Sequence, residues 1–477
     1  MTLDPVIRLR LSTMMFLEFF VWGAWFVTLG TYLAADLGAS GSQIALAFLT
    51  QSLGAILAPF IVGLIADRWF AAQRILGVLH LFSAVMLFLA GRQGEFGAFF
   101  VFALLAMISF MPTLALANSI SFRRLTSPER QFPAIRVFGT IGWIVAGLLI
   151  GWLGWEAGGA LENTFVMAAI GSALLGVYAF TLPHTPPEPG QGRVTVRDVL
   201  GLDALALLKS RSYLVFFLAS ILICIPLAFY YNFTNLYLNE IGVQSAAAVQ
   251  SLGQVSEALF LLVMPLMLRK LGVKRTLLIG MLAWALRYAL FAFGDAGSLL
   301  WLVIIGLVLH GVCYDFFFVA GQIYTDRFAP KHVRSAAQGL ISLATYGVGL
   351  LIGSLISGPI VDAFLAADGT HDWRTIWLIP AALAVGVALF FAALFRERET
   401  VEAAEVPQGP EAGRSPEKAL RHTVRSELNS RFVCVVRTPG IARTRSRTRS
   451  NSARFLARIC STRSQVPVVE WNCSSSG

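Results

Sequence analysis

The sequence predicts an all-α polytopic membrane protein of twelve transmembrane helices in two groups of six, and three observations lead there. Hydrophobic residues make up 56% and charged residues 13% of the 477-residue chain, with a mean hydropathy of +0.70; a soluble domain carries about a quarter charged residues to cover its surface. The apolar residues come in long runs rather than alternating, and runs of about 20 are what a helix needs to cross hydrocarbon, whereas barrel strands alternate. The runs also fall into two equal sets, separated by a polar stretch rich in proline.

The chain opens on a short basic segment, Met1 to Arg10. The apolar run after it is too long for a signal peptide and lacks a cleavage site of small residues, so it reads as a retained first span. Breaks at charge, glycine or proline set the rest. The first six spans run Ser12 to Leu33, Gln43 to Ala66, Ile75 to Ala90, Ala98 to Phe122, Ile135 to Leu153 and Phe165 to Leu182. The second six run Tyr213 to Leu238, Val249 to Leu268, Thr276 to Phe293, Leu299 to Tyr324, Ala337 to Phe364 and Thr375 to Phe395. The expected domains are an N-terminal bundle over 1–182, a cytoplasmic linker over 183–212, a C-terminal bundle over 213–396 and a basic tail over 397–477.

Orientation follows from lysine and arginine in short loops, which resist translocation. With the N-terminus inside, the inner loops hold twenty of them, from Arg8 and Arg10 to Arg396 and Arg398, and the outer loops only Arg92 and Arg374. Both termini are therefore expected in the cytoplasm. The net charge of +10 does not argue for nucleic acid, because residues 401–477 carry +7 of it. That tail, with its Arg443 to Ser450 repeat, reads as a disordered, solvated segment without the aromatic interleaving of a strand-binding surface. Of the five cysteines, Cys434, Cys460 and Cys473 lie in the tail; Cys224 and Cys313 read as helix packing.

A charge near the middle of a span costs about 3 kcal/mol on insertion scales, so such residues face a partner or an aqueous cavity. The first span carries Glu18. In the fifth, Arg136, Thr140 and Trp143 recur at helical spacing and line one wall with a cation, a hydroxyl and a broad aromatic face. The seventh holds Pro226, which should bend it, and a polar cluster of Tyr231, Asn232 and Asn235. In the eighth, Gln254 and Glu257 stack three apart. An acid there is charged when wetted and neutral when occluded, which is what a proton carrier requires. The tenth reads His310, Tyr314 and Asp315. His80, alone in the third span, reads as packing, and Arg287 in the ninth as a structural partner for an acid.

Weaker signals carry nothing. Gly347 to Gly353 imitates a dinucleotide fingerprint but has one residue too many and no preceding strand, and those glycines suit close helix packing instead. Walker loops, metalloprotease helices and serine-nucleophile elbows are absent from the sequence, so neither ATP, a metal nor chemistry on a substrate is expected.

Six plus six spans resemble the major facilitator fold, in which two bundles rock about a site near the bilayer midplane. Gly63, Asp67 and Arg68 match that superfamily's Gly-x-x-x-Asp-Arg loop, which serves conformational change. More specific strings resemble the bacterial nucleoside:proton symporters: Trp22 to Gly30, Phe110 to Leu114, Ile135 to Gly142, Gly201 to Leu207, Trp284 to Phe291, Tyr314 to Phe317 and Asp372 to Leu378. The likeness spans about residues 7 to 396. It implies import of a nucleoside with protons across a bacterial inner membrane by a monomer that needs no cofactor beyond the proton gradient. It carries site positions over to Arg136, Thr140, Gln254, Glu257 and Asp315, and keeps an aromatic at Trp143 and Tyr314. This chain departs at Ala228 and Tyr231, at His310 and at Glu18, which bears on substrate identity more than on mechanism. The expected substrate set is thus Arg136, Thr140, Trp143, Tyr231, Asn232, Gln254, Glu257, His310 and Tyr314, with Glu257, Asp315 and Glu18 as proton carriers in that order. The rivals are transport of another small polar solute, such as a sugar, peptide or drug, and a non-transporting membrane sensor.

Overall fold

The computed structural model describes residues 4–61, 70–127, 131–186, 202–330 and 333–396. Gly63, Asp67 and Arg68, most of the linker and the basic tail lie outside the described residues. Within them, eleven helices are long and apolar enough to cross a membrane. In chain order these are α1 (Pro5–Leu37), α2 (Gly41–Ile61), α3 (Ala72–Ala90), α4 (Phe96–Phe122), α5 (Pro133–Leu153), α6 (Glu162–Ala179), α7 (Arg211–Glu240), α8 (Ala246–Phe293), α9 (Leu300–Phe328), α10 (Ala336–Ala363) and α11 (Trp373–Leu394).

The eighth and ninth expected spans are both present as the two arms of α8, which together run roughly 70 Å at 1.5 Å per residue, twice the hydrocarbon thickness, and so make two crossings. The reversal is made at Gly272, with φ 75° and ψ 175°, a conformation that glycine alone adopts cheaply. One residue thus replaces the loop that the basic cluster at 269–275 suggests.

Local chemistry sets the other ends. Asp4 caps α1, its Oδ1 accepting from Val6 N at 2.9 Å ahead of Pro5 at the first helical position. Gly38, at φ 56°, ends the same helix. Between them α1 is interrupted at Val27 and Thr28. Two π-helical turns occur in the C-terminal half, at Asp315–Val319 in α9 and Leu343–Gly349 in α10; such turns are rare and cluster at functional positions.

The halves repeat one packing scheme. In the first, α1 packs on α5, α2 on α4 and α3 on α6; in the second, α7 packs on α10, the first arm of α8 on α9 and its second arm on α11. The outside is apolar, with Trp152 81% and Leu262 78% exposed, the inverse of a soluble surface and the condition for contact with lipid. Without a hydrophobic drive between helices in lipid, close approach supplies the cohesion. Gly142 sits so near the Phe16 carbonyl that a Cβ would overlap it, and Gly23 leaves room only for the Trp143 ring. This pressing of α5 on α1 turns Trp143 toward the middle of the molecule.

Candidate functional site: a polar chamber between the halves

Helices α5 and α8 face each other across the molecule and run in opposite senses, which orders their residues into rungs. Gly151 meets Ala248 and Ser245, and Gly147 meets Ser251 and Ala247, with no space for a Cβ at either glycine. One turn further in, Trp143 lines a cavity with Gln250, Ser251 and Gln254. Further still, Arg136 lies within electrostatic reach of Glu257. The glycine rungs seal one end; the cavity is next to them; the charged rung stands at its mouth.

The cavity is narrow in this state, about 20 Å³, and is lined by Phe26, Val27, Trp143, Tyr230, Tyr231, Ala247, Gln250, Ser251 and Gln254. That is room for about one water, so a larger ligand requires its mouth to widen. Its aromatic wall is Trp143, which meets Trp22 edge-on at 5.4 Å and 70°. Phe26 and Val27 reach it because α1 is broken there.

Around Glu257 the polar groups come from four helices. His310 Nε2 stands 3.8 Å from Glu257 Oε2, and Tyr314 and Tyr346 share a hydroxyl hydrogen bond between α9 and α10. Arg136 is placed against the Phe19 ring, 3.9 Å from its centroid, and faces Glu257, Tyr314 and Tyr346 from the other half. It stands in the first turn of α5, where the helix dipole disfavours a cation, and the acid across the chamber acts against that cost. Asp315 is fully buried with neither oxygen hydrogen-bonded, a group open to a proton or a water. Below the site, Arg287 lies 3.8 Å from the Tyr230 ring centroid, and His310 stacks on the same tyrosine at 5.2 Å. The Tyr288 hydroxyl donates to the Pro226 carbonyl at 2.7 Å, bracing α7 where proline weakens it.

Several expected site residues therefore converge: Arg136 and Trp143 on one side, Tyr231, Gln254, Glu257, His310 and Tyr314 on the other, while Thr140 lies half-buried between the first two on α5. Two do not. Asn232 turns into its own half, donating to Ser354 Oγ at 3.2 Å and Ser357 Oγ at 3.1 Å. Glu18 is wholly buried inside the N-terminal half, where Thr113 Oγ1 donates to Oε1 at 2.6 Å and His80 Nε2 lies 2.9 Å from Oε2. His80, expected as mere packing, is thus the partner of an acid. Ser172 Oγ donates to the His80 carbonyl at 2.9 Å, so at 3.0 Å it accepts from Nδ1, which fixes that proton and leaves the Nε2 side to share one with Glu18. Sequence reasoning missed Tyr346 and Gln250. Gln250 is one turn before Gln254 on the same face, and that spacing could have found it; nothing marks Tyr346.

The sealed end is also latched by hydrogen bonds, and each half caps a helix of the other. Glu156, after α5, accepts from Ala247 N in the first turn of α8 at 3.0 Å, and from Asn235 and Asn239 of α7 at 3.1 Å each. Asp362, at the end of α10, accepts from Gly41 N at 2.5 Å, Ser42 N at 3.0 Å and Ser42 Oγ at 2.5 Å at the start of α2. Thr31 Oγ1 donates to Asn235 Oδ1 at 2.6 Å.

The comparisons with known proteins agree with this architecture. YegT of Escherichia coli (strain K12) is 42% identical over 401 residues, covering 82% of this chain and 94% of that one. The xanthosine permease of the same organism is 35% identical, covering 82% and 95%. The crystal structure of the nucleoside transporter NupG superposes with a TM-score of 0.76 at 33% identity, covering 82% of this chain and all of that one. Residues 6–400 match the Nucleoside H+ symporter family, a family of transporters with the major facilitator fold, and the chain belongs to it.

Proposed function

We propose that this transporter carries a nucleoside into the cell with protons through the chamber between α5 and α8. The observation that carries the reading is that Arg136 in one half and Glu257 in the other lie within electrostatic reach of each other at the mouth of one cavity. The lysine and arginine bias supports placing the latched end in the periplasm and both termini in the cytoplasm, so that the chamber faces inward in this state.

The nucleoside binds with its base in the cavity beside Trp143 and its ribose toward Arg136, Glu257 and Tyr314. A base needs an aromatic face and amide partners, and a ribose needs paired acceptors for its hydroxyls; both sets are present in that order along the rungs. Glu257 is the first proton carrier. Charged, it is held by Arg136 and stays exposed to water; neutralised, it can be occluded without the cost of enclosing a charge, and this links proton to substrate. Asp315 is the second carrier. Glu18 is the third, paired with His80 inside the N-terminal half. The moving parts are the protein's own side chains and the proton, and no cofactor or reaction on the substrate enters the cycle.

Uptake of labelled uridine by transport-deficient cells, with and without a protonophore, tests the reading. Glu257→Gln should abolish protonophore-sensitive accumulation and leave exchange or binding. Normal concentrative uptake by that variant would remove Glu257 from the role.

A further inference from the structure

Gln250 lines the cavity at 8% exposure with Tyr230 within hydrogen-bonding reach of its side chain, yet its Oε1 has no hydrogen-bond partner, and the Oε1 of Gln254 has none either. An unpaired buried polar group costs about 1–3 kcal/mol, so two such atoms beside one cavity are groups that a bound molecule can satisfy. The two carboxamides sit four residues apart on α8, about 6 Å along the axis, which suits the two ends of one edge of a planar base. Trp143 lies across the cavity from them. The glycine rung at Gly147 and Ser251 closes the cavity just beyond Gln250, so the edge of a base that enters from the mouth meets Gln250 at the far end.

We propose that Gln250 is a specificity-determining residue that reads the hydrogen-bonding edge of the nucleobase, with Gln254 as its lower neighbour and Trp143 as the stacking face. This deepens the nucleoside reading and rests on it. The ligand class is a riboside whose base carries an N–H or amino donor on the edge opposite the sugar. A riboside with a bare edge gains the stacking alone. Recognition of this kind discriminates steeply, because an analogue that lacks the group leaves the buried amide unpaired.

The test compares uridine and inosine, whose bases carry such an edge, with purine riboside, which has neither the 6-substituent nor the N1 proton. Half-saturating concentrations are measured for uptake by the full-length protein in transport-deficient cells, with membrane abundance as control. The wild type should favour inosine over purine riboside by about tenfold, the size of one well-made hydrogen bond. Gln250→Ala should bring that ratio close to one by weakening inosine and uridine while leaving purine riboside little changed. Gln250→Asn, which keeps the amide on a shorter stem, should restore part of the preference and also serves if the alanine variant does not reach the membrane. A uniform loss for all three substrates, an unchanged ratio, or no preference in the wild type would each overturn the role of Gln250. Failure of the wild type to carry any of the three would instead strike the nucleoside reading itself.

Discussion

Removing the Glu156 carboxylate should open the latched end of the transporter. Its two oxygens accept from three donors of the other half, Asn235, Asn239 and the Ala247 backbone, and all three bonds must break when the halves part there. A hydrogen bond to a charged group contributes about 1.5–3 kcal/mol. The site is half-buried and the freed carboxylate regains water, so a net loss of about 2 kcal/mol for the whole contact is the conservative figure. That is roughly a thirtyfold shift of the equilibrium toward the state open at this end. Spin labels at Ala35 and Ala367, exposed positions in opposite halves at this end, report the separation by pulsed electron resonance in a background free of native cysteines. Glu156→Ala should transfer most of the short-distance population to a longer one, and Glu156→Gln, which still accepts from Ala247, should move less. An unchanged distance distribution in a folded Glu156→Ala protein would refute the argument that this carboxylate holds the halves together.

Two further outcomes follow from groups outside the chamber. His80→Ala leaves the buried Glu18 with Thr113 alone and should cost about 1–3 kcal/mol, read as a fall in thermal stability in detergent; adding Glu18→Gln should recover part of it, and strict additivity in the double-mutant cycle would deny the coupling. Asp372, which caps α11 through Thr375 N at 3.2 Å, has its carboxyl held below the usual range by the Thr375 hydroxyl and backbone N–H. A depressed value means that the cap's contribution is complete above the ordinary carboxylate value near about 4 and fades only as pH falls through the lower folded value. Stability should therefore be insensitive to this group at neutral pH, and Asp372→Asn should flatten the acid limb of a stability profile; an unaltered limb would show that the cap contributes nothing.

The membrane architecture was legible because hydropathy is a property of runs, and a run long enough to cross the bilayer has few other fates. That Arg136 and Trp143, and likewise Gln254 and Glu257, turn toward the same space was legible too, since helical spacing says which residues share a face. Spacing does not say which way that face turns, and this is why Asn232 could be placed beside Tyr231 in sequence and yet bond Ser354 and Ser357 in its own half. It is also silent on partners from distant helices. His80 and Glu18 are 62 positions apart, and nothing in either span announces the other. The π-helical turns that bring Tyr314 and Tyr346 together break the very periodicity such reasoning uses.

The single-residue reversal at Gly272 has a mechanical consequence. A long loop would absorb displacement between the arms it joins, and α8 has none to offer. One arm carries Gln250, Gln254 and Glu257; the other is pinned by the Arg287 Nε bond to Gly306 O and by the Tyr288 bond to α7. The first arm is tied to α9, the helix of Gly306, with Ser256 Oγ accepting from Gly311 N at 3.2 Å, so both arms and α9 travel together as one stiff hairpin rather than hinging against each other.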